Sequence, residues 1–337
     1  MTMQKSELSH MKKILWLLLD DRMGSVGQAR GVAQFLSADF EIVEKHISYT
    51  RLAKLPNFLK GAGLLGLAAE SKKAVAEPAP DLVISASRRT APVARWIKKR
   101  SGGKTVIAQI MYPGKSGIKD LDMVFVSEHD KKKKFYPNFT YIVGSPHRIT
   151  PQTLEEARRK WEPVFAGLPK PLTAVIVGGA IKGHPFSLEN AEWLGRAVKE
   201  FKQEFGGAVL ITDSRRTGKA AQDIIMNELS AVPAYTYLWG EDKENPFIGF
   251  LACCDNIIVT GDSVTMCCEA CGTGKPVYIF EGDDWLSHKH QRFVASLYRS
   301  GYAFPLEENA RGSFVSRGAL NPAAEVAEII RRRFTKL

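Results

Sequence analysis

Residues 256–280 (NIIVTGDSVTMCCEACGTGKPVYIF) restrict the fold more than any other stretch, because they read as strand, turn, helix, turn and strand. The β-branched run at 257–259 is typical of a buried parallel strand. The helix that follows has small residues on nearly every face, so it can pack closely on a sheet, and Pro276 prevents its continuation. A strand–helix–strand unit of this kind predicts a parallel sheet.

The turn inside this unit predicts an anion site. Gly261, Asp262 and Ser263 lie between strand and helix, where they supply a glycine turn and two candidates for the helix N-cap. A helix N-terminus at the carboxyl end of a parallel strand presents unpaired N–H groups and the positive end of the helix dipole, which suit a phosphate. Glu269 follows nearly two helical turns later, where a carboxylate is placed to accept hydrogen bonds from vicinal hydroxyls. A position for a phosphate and a position for a diol in one unit together predict a binding site for a nucleotide and its ribose.

Strands alternate with helices along most of the chain, and 337 residues exceed the size of one ordinary core. We therefore expect two Rossmann-like α/β domains. The proline-rich, aperiodic run near residues 162–171 is the best linker signal. The predicted boundaries are a first domain at 11–150, a linker at 151–171 and a second domain at 172–337. Within the linker, a polar helix is expected to end at about Lys160.

The net positive charge of the chain lies in its first half. Residues 1–150 carry a net charge of +12 and residues 151–337 carry −1, within a total of +11. This asymmetry predicts an anionic partner for the first half, namely an acidic membrane surface, a phosphorylated acceptor or nucleic acid. Of these three, nucleic acid is the one that we do not expect. Residues 51–73 form an apolar stretch with basic flanks, too short to span a bilayer. They are either a peripheral membrane contact or a helical excursion packed on the domain.

Other strand-end turns carry the remaining candidate residues. Glycines let backbone N–H groups approach an anion, and arginine binds phosphate in a bidentate, permanently charged way. The motif Ser-Arg-Arg-Thr occurs once in each half, after a β-branched strand. In the second half the candidate donor-site residues in such turns are Gly178, Gly179, Ser214, Arg215 and Arg216. In the first half the candidates are Asp20, Asp21, Gly24, Gln28, Arg88 and Arg89, and residues 20–28 are expected to form a turn before a helix that begins at Ala29.

Several site classes lack sequence support. The P-loop, G-x-S-x-G and H-E-x-x-H patterns are absent, and the dinucleotide fingerprint is incomplete. All five cysteines fall at 253–271, without a second pair or histidines at metal spacing, so we interpret them as core residues. This clustering is not that of a disulfide framework, and it favours a reducing compartment as the location of the protein. We expect no bound metal and no cofactor.

The segments ITDSRRTG, VGGA and TGDSVTMCCEACGTGKPVYIF are similar to those of the mitochondrial-fission "elongated mitochondria" family of plants and its bacterial relatives. The resemblance covers most of residues 12–335. It implies a GT-B-like fold in which two Rossmann-like domains face a cleft, and a C-terminal helix that packs back on the N-terminal domain. The first domain would then face the acceptor or membrane, and the second would bind a nucleotide-sugar.

If the chain is an enzyme, the resemblance implies a metal-independent glycosyltransferase that moves a sugar from a nucleotide-sugar to a membrane-associated or glycolipid acceptor. The helix dipole and the arginines would stabilise the leaving nucleoside diphosphate, and Glu269 would hold ribose. Asp20 or Asp21 would be the general base, unless the pair only caps its turn. Gly24, Gln28, Arg88 and Arg89 would lie on the acceptor side.

Two alternatives stay open. The first is a non-catalytic adaptor with the same fold that docks on a membrane surface, which is the role known in the plant branch. The second is a nucleotide-sugar epimerase, which the missing dinucleotide fingerprint disfavours. In each case the expected location is cytoplasmic, peripheral on the membrane face.

Overall fold

The computed structural model describes residues 12–306 and 317–336. Residues 11 and 337, the outer limits of the two predicted domains, lie outside this range. The chain forms two six-stranded sheets, and every strand pair in both is parallel. Two compact units hold one sheet each: Met1–Ile142 with Pro146–Arg148 and Pro322–Leu337, and Val143–Ser145 with Ile149–Asn321. The predicted class of two Rossmann-like α/β domains is confirmed.

The first unit contains a sheet of strand order β2-β1-β3-β4-β5-β6. Its elements, in chain order, are β1 (Lys13–Leu19), α1 (Met23–Gln34), β2 (Phe40–His46), α2 (Asn57–Lys60), α3 (Ala69–Val75), β3 (Leu82–Ser85), α4 (Ala91–Arg100), β4 (Val106–Ile110), β5 (Met123–Ser127) and β6 (Phe139–Ile142).

Both faces of this sheet are covered, because alternate side chains of a strand point to opposite sides. Leu15, Leu17 and Leu19 pack in one core cluster with α1. Trp16 and Leu18 pack in another with α3 and α4. This double burial explains why β1 reads as a continuous apolar run rather than as an alternating one.

The second unit contains a sheet of strand order β12-β11-β10-β7-β8-β9. Its elements are α5 (Pro151–Phe165), β7 (Leu172–Ile176), α6 (Leu188–Phe205), β8 (Ala208–Thr212), α7 (Lys219–Glu228), β9 (Ala234–Tyr237), α8 (Phe247–Cys253), β10 (Asn256–Thr260), α9 (Val264–Cys271), β11 (Val277–Phe280), α10 (His288–Arg299) and β12 (Phe304–Pro305).

The last helix, α11 (Pro322–Phe334), belongs to the first unit, as the resemblance implied. Its buried residues Ala323, Val326, Ala327 and Ile330 join the core cluster of α1. The Phe334 ring meets that of Phe40 edge-on, with centroids 5.1 Å apart. The helix therefore completes one face of the first sheet.

The prediction that residues 20–28 form a turn is wrong from Met23 onward, because α1 begins there. Gly24 and Gln28 are therefore helical rather than turn residues. Val26, Ala29 and the neighbouring Val32 are buried in one cluster. This packing outweighs the poor helix propensity of the glycines.

The polar helix of the predicted linker also runs further than expected, through Pro163 to Phe165. Trp161 and Phe165 stack with centroids 5.9 Å apart, and Phe165 is buried against Phe250 of α8. Aromatic packing thus holds one more turn of helix around the proline.

Two glycines of α1 offer a matched test of this packing. An added Cβ at Gly31 would lie 2.3 Å from the His147 carbonyl oxygen, whereas one at Gly27 would meet nothing within 4 Å. We expect Gly31→Ala to reduce the free energy of unfolding by roughly 1–3 kcal/mol through overpacking. Gly27→Ala should raise it by roughly 0.5–1 kcal/mol, because alanine is the better helix former. Urea titrations followed by circular dichroism would measure both; equal effects of the two substitutions would contradict the close approach of α1 to residue 147.

Candidate functional site

Three turns of the second unit meet at one edge of its sheet. They follow β7, β8 and β10, which are neighbours in the order β10-β7-β8. Because parallel strands end at the same edge, residues 177–180, 213–217 and 261–263 come together there. We call these three turns the strand-end cluster.

An ion pair with a buried carboxylate joins the three turns. Arg216 Nη1 lies 2.6 Å from Asp262 Oδ2. The same carboxylate accepts hydrogen bonds from the Gly179 N–H at 3.0 Å and the Thr260 hydroxyl at 2.7 Å. Asp262 is only 3% exposed. Burial raises the pKa of its carboxyl group, and the charge of Arg216 opposes that rise.

Hydroxyl groups fix the turn after β8. The Ser214 N–H donates to the Thr217 hydroxyl at 3.1 Å, and the Arg216 N–H donates to the Ser214 hydroxyl at 3.1 Å. The Thr217 hydroxyl in turn donates to the Gly178 carbonyl at 2.6 Å. Arg215, between them, is exposed and has no hydrogen-bond or ion-pair partner in the described part of the chain. One arginine of the motif is thus structural, and the other is available to a ligand.

Both glycines after β7 are required by close contacts. A Cβ at Gly178 would lie 2.2 Å from the carboxylate oxygens of Asp262. Gly179 has φ +140°, and a Cβ there would lie 2.2 Å from the Arg216 carbonyl carbon. The N–H groups of both already donate within the protein, that of Gly178 to Thr260 at 2.7 Å. The glycines therefore allow the turns to approach one another.

The start of α9 has backbone N–H donors that lack an acceptor within the described part of the chain. Ser263 is its N-cap and accepts from the Met266 N–H at 3.4 Å. The N–H groups of Val264 and Thr265 have no acceptor among the residues that the structure describes. These two N–H groups at the positive end of the helix, together with Arg215, could hold an anion such as a diphosphate. Glu269 lies further along α9 and is half-buried. Gly261 and Asp262 hold the turn before α9 in place.

A separate pocket of about 1010 Å³ lies in the first unit. It is lined by the ends of β1 and β2, by residues 48–60 and by the Ser-Arg-Arg-Thr turn after β3. The predicted residues Asp20, Asp21, Arg88 and Arg89 all line it. Gly24 and Gln28 do not, and Gln28 is buried in α1.

Arg89 binds both predicted acids. Its Nη2 lies 3.3 Å from Asp20 Oδ2 and also contacts Asp21 Oδ1. The Asp20 side chain is fully buried and accepts the Arg22 N–H at 3.1 Å, so it does cap its turn. The Asp21 side chain is 70% exposed. Of the two carboxylates, only that of Asp21 is open to an acceptor hydroxyl.

The two Ser-Arg-Arg-Thr turns have the same internal hydrogen bonds. In the first unit the Ser87 N–H donates to the Thr90 hydroxyl at 3.2 Å, and the Arg89 N–H donates to the Ser87 hydroxyl at 3.2 Å. In both turns the second arginine pairs with an aspartate, whereas the first is exposed. The motif therefore marks the same local structure in each unit.

Sequence reasoning missed three residues that shape the pocket. Lys60 is only 7% exposed, and Tyr49 lies under the Arg89 guanidinium, 4.5 Å from ring centroid to Cζ. Asn57 Nδ2 donates to the carbonyls of Arg88 at 2.7 Å and Pro113 at 3.2 Å. The basic flanks of residues 51–73 are the available signal, but neither of the two alternatives stated for this segment, a membrane contact or a packed helical excursion, includes a pocket.

Residues 51–73 include short helices, and four of their larger apolar side chains are exposed, whereas Leu67 is buried. Exposure is 51% at Leu52, 70% at Phe58, 56% at Leu59 and 43% at Leu65. No helix in the described part of the chain is both long enough and apolar enough to cross a bilayer. We call these four side chains the apolar rim.

The five cysteines are free and buried. Burial raises the pKa of Cys268 to about 12, so its thiol stays protonated near neutral pH. Its Sγ accepts the Ser145 N–H at 3.2 Å. Among residues 12–306 and 317–336, no group of three His, Cys, Asp or Glu side chains could hold a metal ion. The cysteines are core residues.

Comparison with known sequences identifies relatives over nearly the whole chain. The sequence model of the family described as "Mitochondrial fission ELM1" matches residues 23–334. The mitochondrial fission protein ELM1 of Arabidopsis thaliana is 30% identical over 294 residues, which cover 80% of this chain and 68% of the plant protein. An uncharacterized protein of Rickettsia prowazekii is 29% identical over 348 residues, covering 94% and 97%.

Comparison with solved structures identifies the fold. MurG from Acinetobacter baumannii matches with a TM-score of 0.50 and 14% identity, covering 95% of this chain and 99% of that protein. UDP-GlcNAc 2-epimerase from Neisseria meningitidis, solved with bound UDP-GlcNAc, matches with a TM-score of 0.54 and 14% identity, covering 97% and 100%. The chain therefore has the GT-B fold, as the sequence resemblance implied.

Glycine substitutions would test the strand-end cluster. Gly179→Ala combines an unfavourable φ with a backbone clash, so we expect it to lower the free energy of unfolding by roughly 3 kcal/mol or more. Gly183→Ala is the control, because it has φ +82° but nothing within 4 Å of a Cβ. It should lower the free energy by only about 1–2 kcal/mol. Chemical denaturation would compare them; equal losses would show that the turns after β7 and β8 are not in contact.

Proposed function

The chain belongs to the mitochondrial fission ELM1 family, and we propose that it is a metal-independent glycosyltransferase with a nucleotide-sugar donor. The acceptor in this proposal is membrane-associated or a glycolipid. One observation carries it: two open N–H groups at the start of α9 and the unpartnered Arg215 share the carboxyl edge of a parallel sheet.

In this proposal the second unit binds the donor. The diphosphate accepts hydrogen bonds from the Val264 and Thr265 N–H groups and from Arg215. Glu269 accepts hydrogen bonds from the ribose hydroxyls. Fixed N–H dipoles and a guanidinium stabilise the negative charge that builds on the leaving nucleoside diphosphate. The bound UDP-GlcNAc in the Neisseria epimerase, which has the same fold, supports a nucleotide-sugar as the ligand class.

The first unit supplies the base and the acceptor contacts in this proposal. Asp21 takes the proton from an acceptor hydroxyl, and that oxygen then forms a bond to the anomeric carbon of the sugar. The bond from this carbon to the diphosphate breaks, and its electron pair leaves with the nucleoside diphosphate. Asp20 holds Arg89 and the turn in place, since its carboxylate is buried and already bound to the Arg22 N–H and to Arg89.

Two other activities are compatible with the same chain. The family description names mitochondrial fission rather than sugar transfer, which supports a non-catalytic adaptor role. The apolar rim beside Arg51 and Lys54 supports a membrane-facing surface for either role. The fold also occurs in a UDP-GlcNAc 2-epimerase, so the missing dinucleotide fingerprint does not exclude epimerisation. Product analysis separates the three: a transferred sugar, an isomerised donor, or no turnover.

Calorimetry with a panel of UDP-, GDP- and ADP-sugars would test donor binding. Because Arg215 makes a charge-assisted contact with the diphosphate in this proposal, we expect Arg215→Met to weaken binding roughly 10- to 100-fold. Arg196→Met is the control, because Arg196 pairs only at the surface of α6 with Glu192. Lack of affinity for every sugar nucleotide, or an equal loss in the control, would count against the proposal and favour the adaptor role.

Vesicle sedimentation would test the membrane contact. We expect the double substitution Phe58→Ser and Leu59→Ser to reduce binding to anionic vesicles several-fold, since both side chains are more than half exposed in the apolar rim. Phe135→Ser is the matched control, because Phe135 is 84% exposed in the same unit but outside the rim. Binding should also weaken as salt is added. If Phe135→Ser reduced vesicle binding as much as the double substitution does, the membrane contact would not lie at the apolar rim.

A further inference from the structure

The pocket of the first unit has a large excess of positive charge. Its lining includes two carboxylates and six cationic side chains, namely Arg22, Arg51, Lys54, Lys60, Arg88 and Arg89. Both carboxylates bind Arg89. The other five cations have no ion-pair partner among the described residues. Like charges in one concave site repel one another unless an anion joins them, so the pocket favours an anionic ligand.

Of these five cations, Lys60 is the one whose burial is hardest to explain by folding alone. It is 7% exposed, yet within the described part of the chain its ammonium group donates only one hydrogen bond, to the Ala53 carbonyl at 3.3 Å. An ammonium has three donors, and burying it without a counter-charge costs free energy. Burial lowers the pKa of Lys60, and the charges of Arg88 and Arg89 lower it further. A bound anion would oppose these effects, because a negative charge nearby favours the charged form of Lys60.

Arg88 completes a binding pair with Lys60. Its backbone carbonyl is held by Asn57 at 2.7 Å, so the turn is tied to α2, the helix that carries Lys60. Its side chain is exposed, lines the pocket and has no partner in the described ranges. Asp20 and Asp21 hold Arg89 in the wall, where it also stacks on Tyr49. A point-charge donor and a planar guanidinium fork both bind phosphate oxygens in proteins.

We propose that this pocket binds a phosphate ester group of the acceptor, with Lys60 and Arg88 donating to its oxygens. The assignment to the acceptor rests on the proposed function; the binding of phosphate does not. A phosphate presents several acceptor oxygens and up to two negative charges, which match the unused donors and the excess charge. A pocket of about 1010 Å³ also leaves room for the group that carries the phosphate.

The test measures phosphate binding without any donor. Glycerol phosphate is titrated by calorimetry into the full chain carrying Arg215→Met, which weakens the proposed diphosphate site of the second unit. In that background we expect Lys60→Met and Arg88→Met each to weaken binding about 10-fold or more. Lys73→Met is the control, because Lys73 is exposed on α3 and outside the pocket. Lys60→Met should unfold at the same or a higher urea concentration, since it removes a buried charge.

Vesicles separate the two sources of the phosphate group. Phosphatidylcholine vesicles with and without phosphatidic acid are sedimented with the same variants. Lys60-dependent binding of phosphatidic acid identifies a lipid phosphate, whereas Lys60-dependent binding of glycerol phosphate alone identifies a soluble one. If neither probe binds, or if Lys60→Met and Arg88→Met bind as the parent does, the inference is overturned. If no sugar nucleotide binds but the phosphate probes do, the proposed donor function is lost. The assignment of this pocket to a phosphate group then still stands.

Discussion

The ion pair between Asp262 and Arg216 is the contact on which the second unit's candidate site depends. It connects the turns after β10 and β8, and the Gly179 N–H brings in the turn after β7. A carboxylate this deeply buried is stable only with several partners, and the chain supplies a guanidinium, a hydroxyl and an N–H. With these bonds made, the three turns form one rigid edge. That rigidity fixes the start of α9, where the open donors lie.

The same arrangement recurs in the first unit with different neighbours. Asp20 and Arg89 pair at the ends of the adjacent strands β1 and β3, and the serine and threonine hydroxyls of the turn repeat their bonds. In each turn, the two consecutive arginines therefore have different roles. The second is held by an acid and maintains the turn, while the first stays exposed. One four-residue motif thus gives both units a fixed support and a free cation.

The sequence predicted the fold well because its signals were local and periodic. β-Branched runs marked the buried strands, and the motif at 256–280 carried the family resemblance. Boundaries were missed where tertiary packing outweighs propensity, as at Met23 in α1 and around Pro163 in α5. For the site, Arg215 and Arg216 read alike in sequence, and only the position of Asp262 distinguishes their roles. The burial of Lys60 depends on how residues 48–60 fold over the strand ends, which no short-range pattern specifies.

Helix α11 has a consequence for how the protein is made. The first unit begins near the start of the chain, yet one face of its sheet is covered by residues 322–334. A ribosome therefore releases all of the second unit before it releases the helix that completes the first. Until then, the apolar surface around Leu15, Val32 and Phe40 lacks its cover. The first unit can therefore complete its core only after the second unit has been synthesised.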